Sequence, residues 1–205
     1  MTSNANSVNM ENTSAQQRPS YHHGDLRSAL IEAGLALLDE RTIDALSLRE
    51  VARAVGVSAT AVYRHFPDKQ ALLMALCHEG AERLGAAQQS AMDAAGGGQA
   101  GFDAAGQTYV RFALAQPALF RLMMTTTAVG GFDGGQASSA MRLLRETVAD
   151  LAGRDASADQ ARLHAAHAWS LVHGMAMLML DGQLPQDERL IASITSESPM
   201  LNDDQ

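Results

Sequence analysis

Residues 47–66 read SLREVARAVGVSATAVYRHF, and the fold follows from this stretch. Ser47 and Glu50 stand three apart, the spacing of a capping box at the start of a helix running to about Val55. Gly56 ends that helix, because glycine takes a positive φ at a tight turn without a Cβ clash. Ser58 suits the cap of a third helix through about His65, and Pro67 separates it from the next. Helices this short are marginal alone, so tertiary packing has to hold them. Leu48, Val51, Val55, Val57, Val62 and Phe66 supply apolar contacts, and Ala52 is small where the helices cross. The other face carries Ala59, Thr60, Tyr63 and Arg64, short or planar groups able to approach a major groove. This is the pattern of a helix-turn-helix at about residues 47–65. Spacing alone fits a helical hairpin with no DNA role equally well.

Outward from the motif the chain keeps a helical period. Leu26, Leu30, Ala33, Leu37 and Leu38 form an apolar stripe in a run opened by Asp25, which predicts helix one. Asp68 is placed to cap a long helix from Lys69 towards Ala95, stopped by Gly96, Gly97 and Gly98. Further helices are expected at roughly 100–115, 117–124, 137–152 and 158–181, with a shorter one near 187–195. Hydrophobic residues make up 46% of the 205 and aromatic residues 4%, with Ala, Leu and Met abundant, so the expected fold is all-α. The division expected is a disordered N-terminal tail over 1–20, a helix-turn-helix domain over 21–82, a helical domain over 83–197 and a C-terminal tail over 198–205.

Charge and chemistry narrow the function classes. The net charge of −8 argues against nucleic acid until its distribution is considered: residues 18–80 carry −1, residues 81–205 carry −6 and the first seventeen −1. Within 45–70, Arg49, Arg53, Arg64 and Lys69 outnumber Glu50 and Asp68, leaving room for a small basic surface. Cys77 is the single cysteine, so no intramolecular disulfide forms, which suits a reducing cytoplasm. The N-terminus lacks an apolar h-region, and the stretch from Ala165 to Leu180 is too short to span a bilayer, so no membrane role is expected. An enzyme is disfavoured: there is no Gly-x-Ser-x-Gly elbow and no nucleotide loop, and Cys77 beside His78 is no triad because adjacent helix residues diverge. The glycine-rich run 130–135 is a flexible loop by composition, with no Gly-Lys-Ser/Thr after it. His164 and His167 share a helix face but lack a completing ligand, so neither metal nor cofactor is expected.

Residues 22–80 resemble the DNA-binding domain of tetracycline-repressor-type (TetR) regulators. The resemblance rests on His23-Gly-Asp-Leu-Arg27, Gly56-Val57-Ser58, Val62-Tyr63-Arg64-His65-Phe66 and Asp68-Lys69. Beyond it, Ala168-Trp169-Ser170-Leu171-Val172-His173-Gly174 looks like the Trp-His-Gly signature of one C-terminal domain subgroup. The resemblance implies that Tyr63, His65 and Lys69 contact operator phosphates, helped by Ser47 at a helix N-terminus. It puts Arg49 where a base-reading arginine can stand, and Ser58, Ala59, Thr60, Ala61 and Arg64 where operator-facing residues occur. Leu48 and Ala61 lack the hydroxyls some relatives carry there, so the operator sequence is unreadable from this set. Each position has a plainer reading too: Arg49 as a solvated residue, Tyr63 as part core, His65 as a helix end.

In the second domain, Tyr109, Phe112, Phe120, Met123, Trp169 and Met177 suggest a soft apolar interior, most of it ordinary core, with His173 a polar tip one turn from Trp169. The resemblance implies an effector pocket for a small apolar or amphipathic molecule there, and a homodimer formed by the last long helices. The interface is expected to centre on the helix of Leu171, Met175 and Leu178. The expected function is thus a repressor released from double-stranded operator DNA by a small-molecule effector. The alternatives are a helical adaptor without specific DNA binding and, less favoured, an enzyme.

Overall fold

A computed structural model describes residues 23–125, 137–153 and 156–196. Within them the chain is helical without strands: α1 (His23–Glu40), α2 (Leu48–Val55), α3 (Ala59–Tyr63), α4 (Lys69–Ala94), α5 (Gly98–Ala115), α6 (Pro117–Thr125), α7 (Ser139–Ala152), α8 (Ala158–Leu180) and α9 (Glu188–Ser196). The all-α architecture read from the sequence is the observed one. The expected tails at 1–20 and 198–205 and the glycine-rich run 130–135 lie outside the described residues.

The first three helices form a small bundle. Leu30, Leu38, Leu46, Val51, Val62 and Phe66 are essentially fully buried, and they interlock α1 with α2 and α3. The Arg27 guanidinium lies 5.5 Å from the centre of the Phe66 ring, covering the outer side of that core. α4 then leaves the bundle. With 26 residues it spans about 39 Å at 1.5 Å per residue. Leu72 and Leu76 near its start belong to the N-terminal core, and Leu84 and Gln88 near its end face the second domain. Around that second half pack α5, α6 and α7, while α8 and α9 lie against α5.

Close approaches along α4 depend on missing side chains. A Cβ on Gly80 would meet Met123 Sδ at 2.8 Å, and one on Gly85 would meet Ser139 Oγ at 2.3 Å and the Ala140 backbone nitrogen at 2.9 Å. Glycine at these two positions lets α6 and α7 seat directly on α4. Ser139 Oγ uses the space to donate to the Ala81 carbonyl at 3.0 Å.

One start signal differs from expectation. Ser47 Oγ accepts from the Glu50 N–H at 3.3 Å, but the Glu50 carboxylate turns outward to the Ser47 hydroxyl and to Arg41 instead of the cap N–H. The complete reciprocal box is at α8, where Ser157 Oγ accepts from the Gln160 N–H and Gln160 Oε1 from the Ser157 N–H. The third glycine of the 96–98 run starts α5, so only Ala95 to Gly97 separate α4 from it.

Candidate nucleic-acid interface and ligand cavity

The turn between α2 and α3 is built as glycine allows. Gly56 has φ 77°, and the Val57 N–H closes the end of α2 onto the Ala52 carbonyl at 2.9 Å. Ser58 Oγ accepts from the Ala61 N–H at 3.2 Å and starts α3. α3 is shorter than expected, ending at Tyr63, and Arg64 and His65 follow in a turn whose N–H groups stay bonded to the Val62 carbonyl region.

With Val62 and Phe66 buried, the opposite side of this segment faces solvent. Thr60 and Arg64 are exposed, and Tyr63 is 48% exposed, the ring standing out from the surface. Ala59, Ala61 and His65 are half-buried beside them, and Ser58 is exposed at the cap. From α2, Arg49 is exposed and Ser47 half-buried. Lys69 begins α4, and its Nζ donates to the Asp44 carbonyl at 2.9 Å, tying α4 to the turn before α2. The ten residues assigned to DNA contact thus lie at the start of α2, along α3 and just before and after it, and at the start of α4. Arg53 is on α2 as well, 3.8 Å from Glu50.

The second domain encloses a cavity of about 250 Å³ between α4, α5, α7 and α8. Of the seven residues expected there, Tyr109, Met123 and Trp169 line it. Phe112 and Phe120 are instead buried in the core, and neither they nor Met177 and His173 line the cavity. Phe120 meets Tyr109 edge-on, ring centres 5.5 Å apart, and so backs the wall. His173 is one layer further out. The Trp169 indole N–H donates to the Tyr109 oxygen at 3.2 Å, and the Tyr109 hydroxyl lies 3.0 Å from His173 Nδ1. With the tyrosine hydroxyl donating, His173 carries its proton on Nε2 and is neutral. Burial raises the Tyr109 phenol far above its ordinary range, so it keeps that proton, and burial lowers His173.

Polar lining residues absent from the sequence reading include Ser138, Thr147 and Thr195, as well as the amide of Gln88 and the carboxylate of Asp103. Gln88 is only 9% exposed; its Nε2 donates to the Ala105 carbonyl at 3.2 Å and its Oε1 is buried without a partner. Asp103 lines the cavity from α5, accepting from Gln99 Nε2 at 2.7 Å. A signal existed for Gln88: it follows Leu84 by four on the buried stripe of α4, a polar residue where packing calls for an apolar one. His164 is half-buried and His167 exposed, and among the described residues no three His, Cys, Asp or Glu side chains gather as a metal site. No helix among the described residues is long and apolar enough to cross a membrane.

Two parts of the chain match known family models. Residues 30–76 match the family model of bacterial regulatory proteins of the tetR family, and residues 102–196 match that of the tetracyclin repressor-like C-terminal domain. A protein of unknown function from Rhodococcus sp. RHA1 is 33% identical, with a TM-score of 0.71 over 89% of this chain and 97% of that one. A tetR-family transcriptional regulator from Streptomyces coelicolor is 22% identical, with a TM-score of 0.63 over 85% of this chain and 79% of its own. The TetR family repressor AlkX from Dietzia is 19% identical, with a TM-score of 0.55 over 82% and 90%.

Proposed function

Because the chain belongs to the tetR family of DNA-binding transcriptional regulators, we propose that it is a cytoplasmic repressor that binds a palindromic operator as a homodimer and leaves it when a small molecule enters the cavity. The observation that carries this reading is the pairing of an exposed Thr60, Tyr63 and Arg64 surface with a cavity of about 250 Å³, joined by α4. Tyr63, His65 and Lys69 hold phosphates and fix the register, with Ser47 at the start of α2. Arg49 reads a base edge, guanine being the partner its fork fits, while Ser58, Ala59, Thr60, Ala61 and Arg64 line the groove. The exposed motif argues for DNA over an adaptor role, since an adaptor has no need of a tyrosine and two arginines projecting from a rigid turn.

The effector acts only if it prefers the conformation that cannot hold DNA, a coupling of about 1–3 kcal/mol in typical cases. α4 supplies the link: its start carries Lys69, and Gly80 and Gly85 set its contacts with Met123 on α6 and Ser139 on α7. A mobility shift with DNA from upstream of its own and neighbouring genes tests the reading. A retarded band that survives non-specific competitor is expected, and no band even at low salt would favour the adaptor.

A further inference from the structure

We infer that the cavity selects a lipophilic hydrogen-bond donor, uncharged or cationic, and rejects anions; this rests on the cavity being the effector site. Among the described residues that line it there is no lysine, arginine or histidine, and these residues carry one carboxylate, Asp103. An anionic ligand would leave water for an apolar enclosure with no cation to meet it, a cost that no lining group offsets. Hydroxyls of Ser138, Thr147 and Thr195 line it too, but the buried side-chain amide and the carboxylate among its polar groups have acceptor capacity to spare.

Gln88 is the clearest of them. The Ala105 carbonyl can only accept, so the amide must present Nε2 to it, and the orientation with Oε1 unpartnered is chemically fixed. A buried acceptor left unpaired is destabilising, and a donor arriving in the cavity would relieve that cost. The terminal amide torsion is broad, so a small rotation offers Oε1 to an N–H or O–H donor in the cavity. Asp103 lines the same cavity from α5, and no ion pair engages it among the described residues. The Tyr109 hydroxyl is already engaged, accepting from Trp169 and paired with His173 Nδ1. Leu84, Met141 and Val172 are among the apolar residues that make up most of the rest of the lining. A ligand of this class puts its donor at Gln88 and Asp103 and its hydrocarbon along α7 and α8.

Trp169 is the sole tryptophan and lines the cavity, so its fluorescence reports occupancy. The full chain is titrated with four probes of similar size: 1-octanol, n-octylamine, n-octanoate and heptyl methyl ether, which is an isomer of octanol without the donor. Expected is binding of the alcohol about fivefold tighter than the ether, of the amine tighter again through the Asp103 carboxylate, and of octanoate the weakest. In Gln88→Leu the alcohol should lose its advantage over the ether, and in Asp103→Asn the amine should lose its advantage over the alcohol. Thermal unfolding of Gln88→Leu should be cooperative, since the orphan acceptor is replaced by an apolar group of similar size; should that variant not fold, Gln88→Met and Asp103→Asn carry the test. Equal binding of ether and alcohol, an unchanged preference in the Gln88 variant, or tightest binding by octanoate would overturn the inference and leave the effector site standing. If none of the four perturbs Trp169 or raises the unfolding temperature, both the inference and the effector site fall.

Discussion

His173 shows how a single residue couples burial to pH. Burial lowers its pKa from the ordinary 6.5, so between those two values the unfolded chain binds a proton that the folded chain does not. Stability therefore rises with pH across that window and is lost as pH falls through it. A proton on Nδ1 would also remove the acceptor that the Tyr109 hydroxyl uses. The urea midpoint should drop between about pH 7.5 and about pH 5, and by less in His173→Asn than in the parent; an equal drop would show that other groups carry the effect. At the DNA surface, Lys69→Ala should weaken binding to every sequence alike and lower the salt slope by about one, even though Lys69 also holds the Asp44 carbonyl. Arg49→Ala should cost about 1–3 kcal/mol at particular base pairs. Binding curves on a panel of operator variants separate the two, and a changed base preference in Lys69→Ala alone would reverse the assignment. Sequence showed these polar surface positions because motif spacing assigns a face to each. It did not separate Tyr109 and Trp169, at the cavity, from Phe112 and Phe120, in the core behind it. Periodicity marks which side of a helix is buried, and a cavity and a core look alike from one helix.

Elements were legible where local chemistry sets them. Ser58 and Asp68 cap α3 and α4 through their side chains, Asp68 Oδ1 accepting from the Ala71 N–H at 2.8 Å, as their positions in the sequence indicated. The weak point was reciprocity: Glu50 is drawn to Arg41, nine residues earlier across a turn, and no local rule foresees that. The two kinds of glycine contact give a sharp contrast. A Cβ on Gly56 meets nothing within 4 Å, so Gly56→Ala suffers only the left-handed backbone, about 1 kcal/mol, and should leave the ligand cavity unchanged. Gly85→Ala drives a methyl into Ser139 and the α7 backbone, so it should cost more and loosen α7. Chemical denaturation gives both losses, and probe binding at the cavity should weaken only in Gly85→Ala. A larger loss for Gly56→Ala would mean that packing, not φ, fixes the turn.

At the scale of the whole molecule, α8, the helix expected to carry the dimer interface, turns Met175 inward: it is 3% exposed and packs inside the protomer. The large apolar side chains that α8 leaves in solvent are Leu163, 53% exposed, and Leu178, 45% exposed, and a Cβ at Gly174 between them would meet nothing within 4 Å. We propose that this face of α8, with Leu163 and Leu178, meets the partner subunit. Leu178→Lys should convert a particle of twice 21.7 kDa to one of 21.7 kDa in light scattering, whereas an unchanged mass would move the interface elsewhere. Sequence gave no means of choosing among these positions, because Leu171, Met175 and Leu178 share a helix and only the fold decides which of them α5 covers.

Whether α3 reads DNA as one of a pair is tested most directly by selection from a pool of randomised duplexes with the full chain. One short recognition segment reads too few base pairs to specify a site, so a specific operator requires two. The expected result is enrichment of an inverted repeat whose half-sites are about one helical turn or a multiple apart, bound by two chains and lost in Thr60→Asp. Recovery of no enriched sequence, or of sites with no two-fold symmetry, would contradict it.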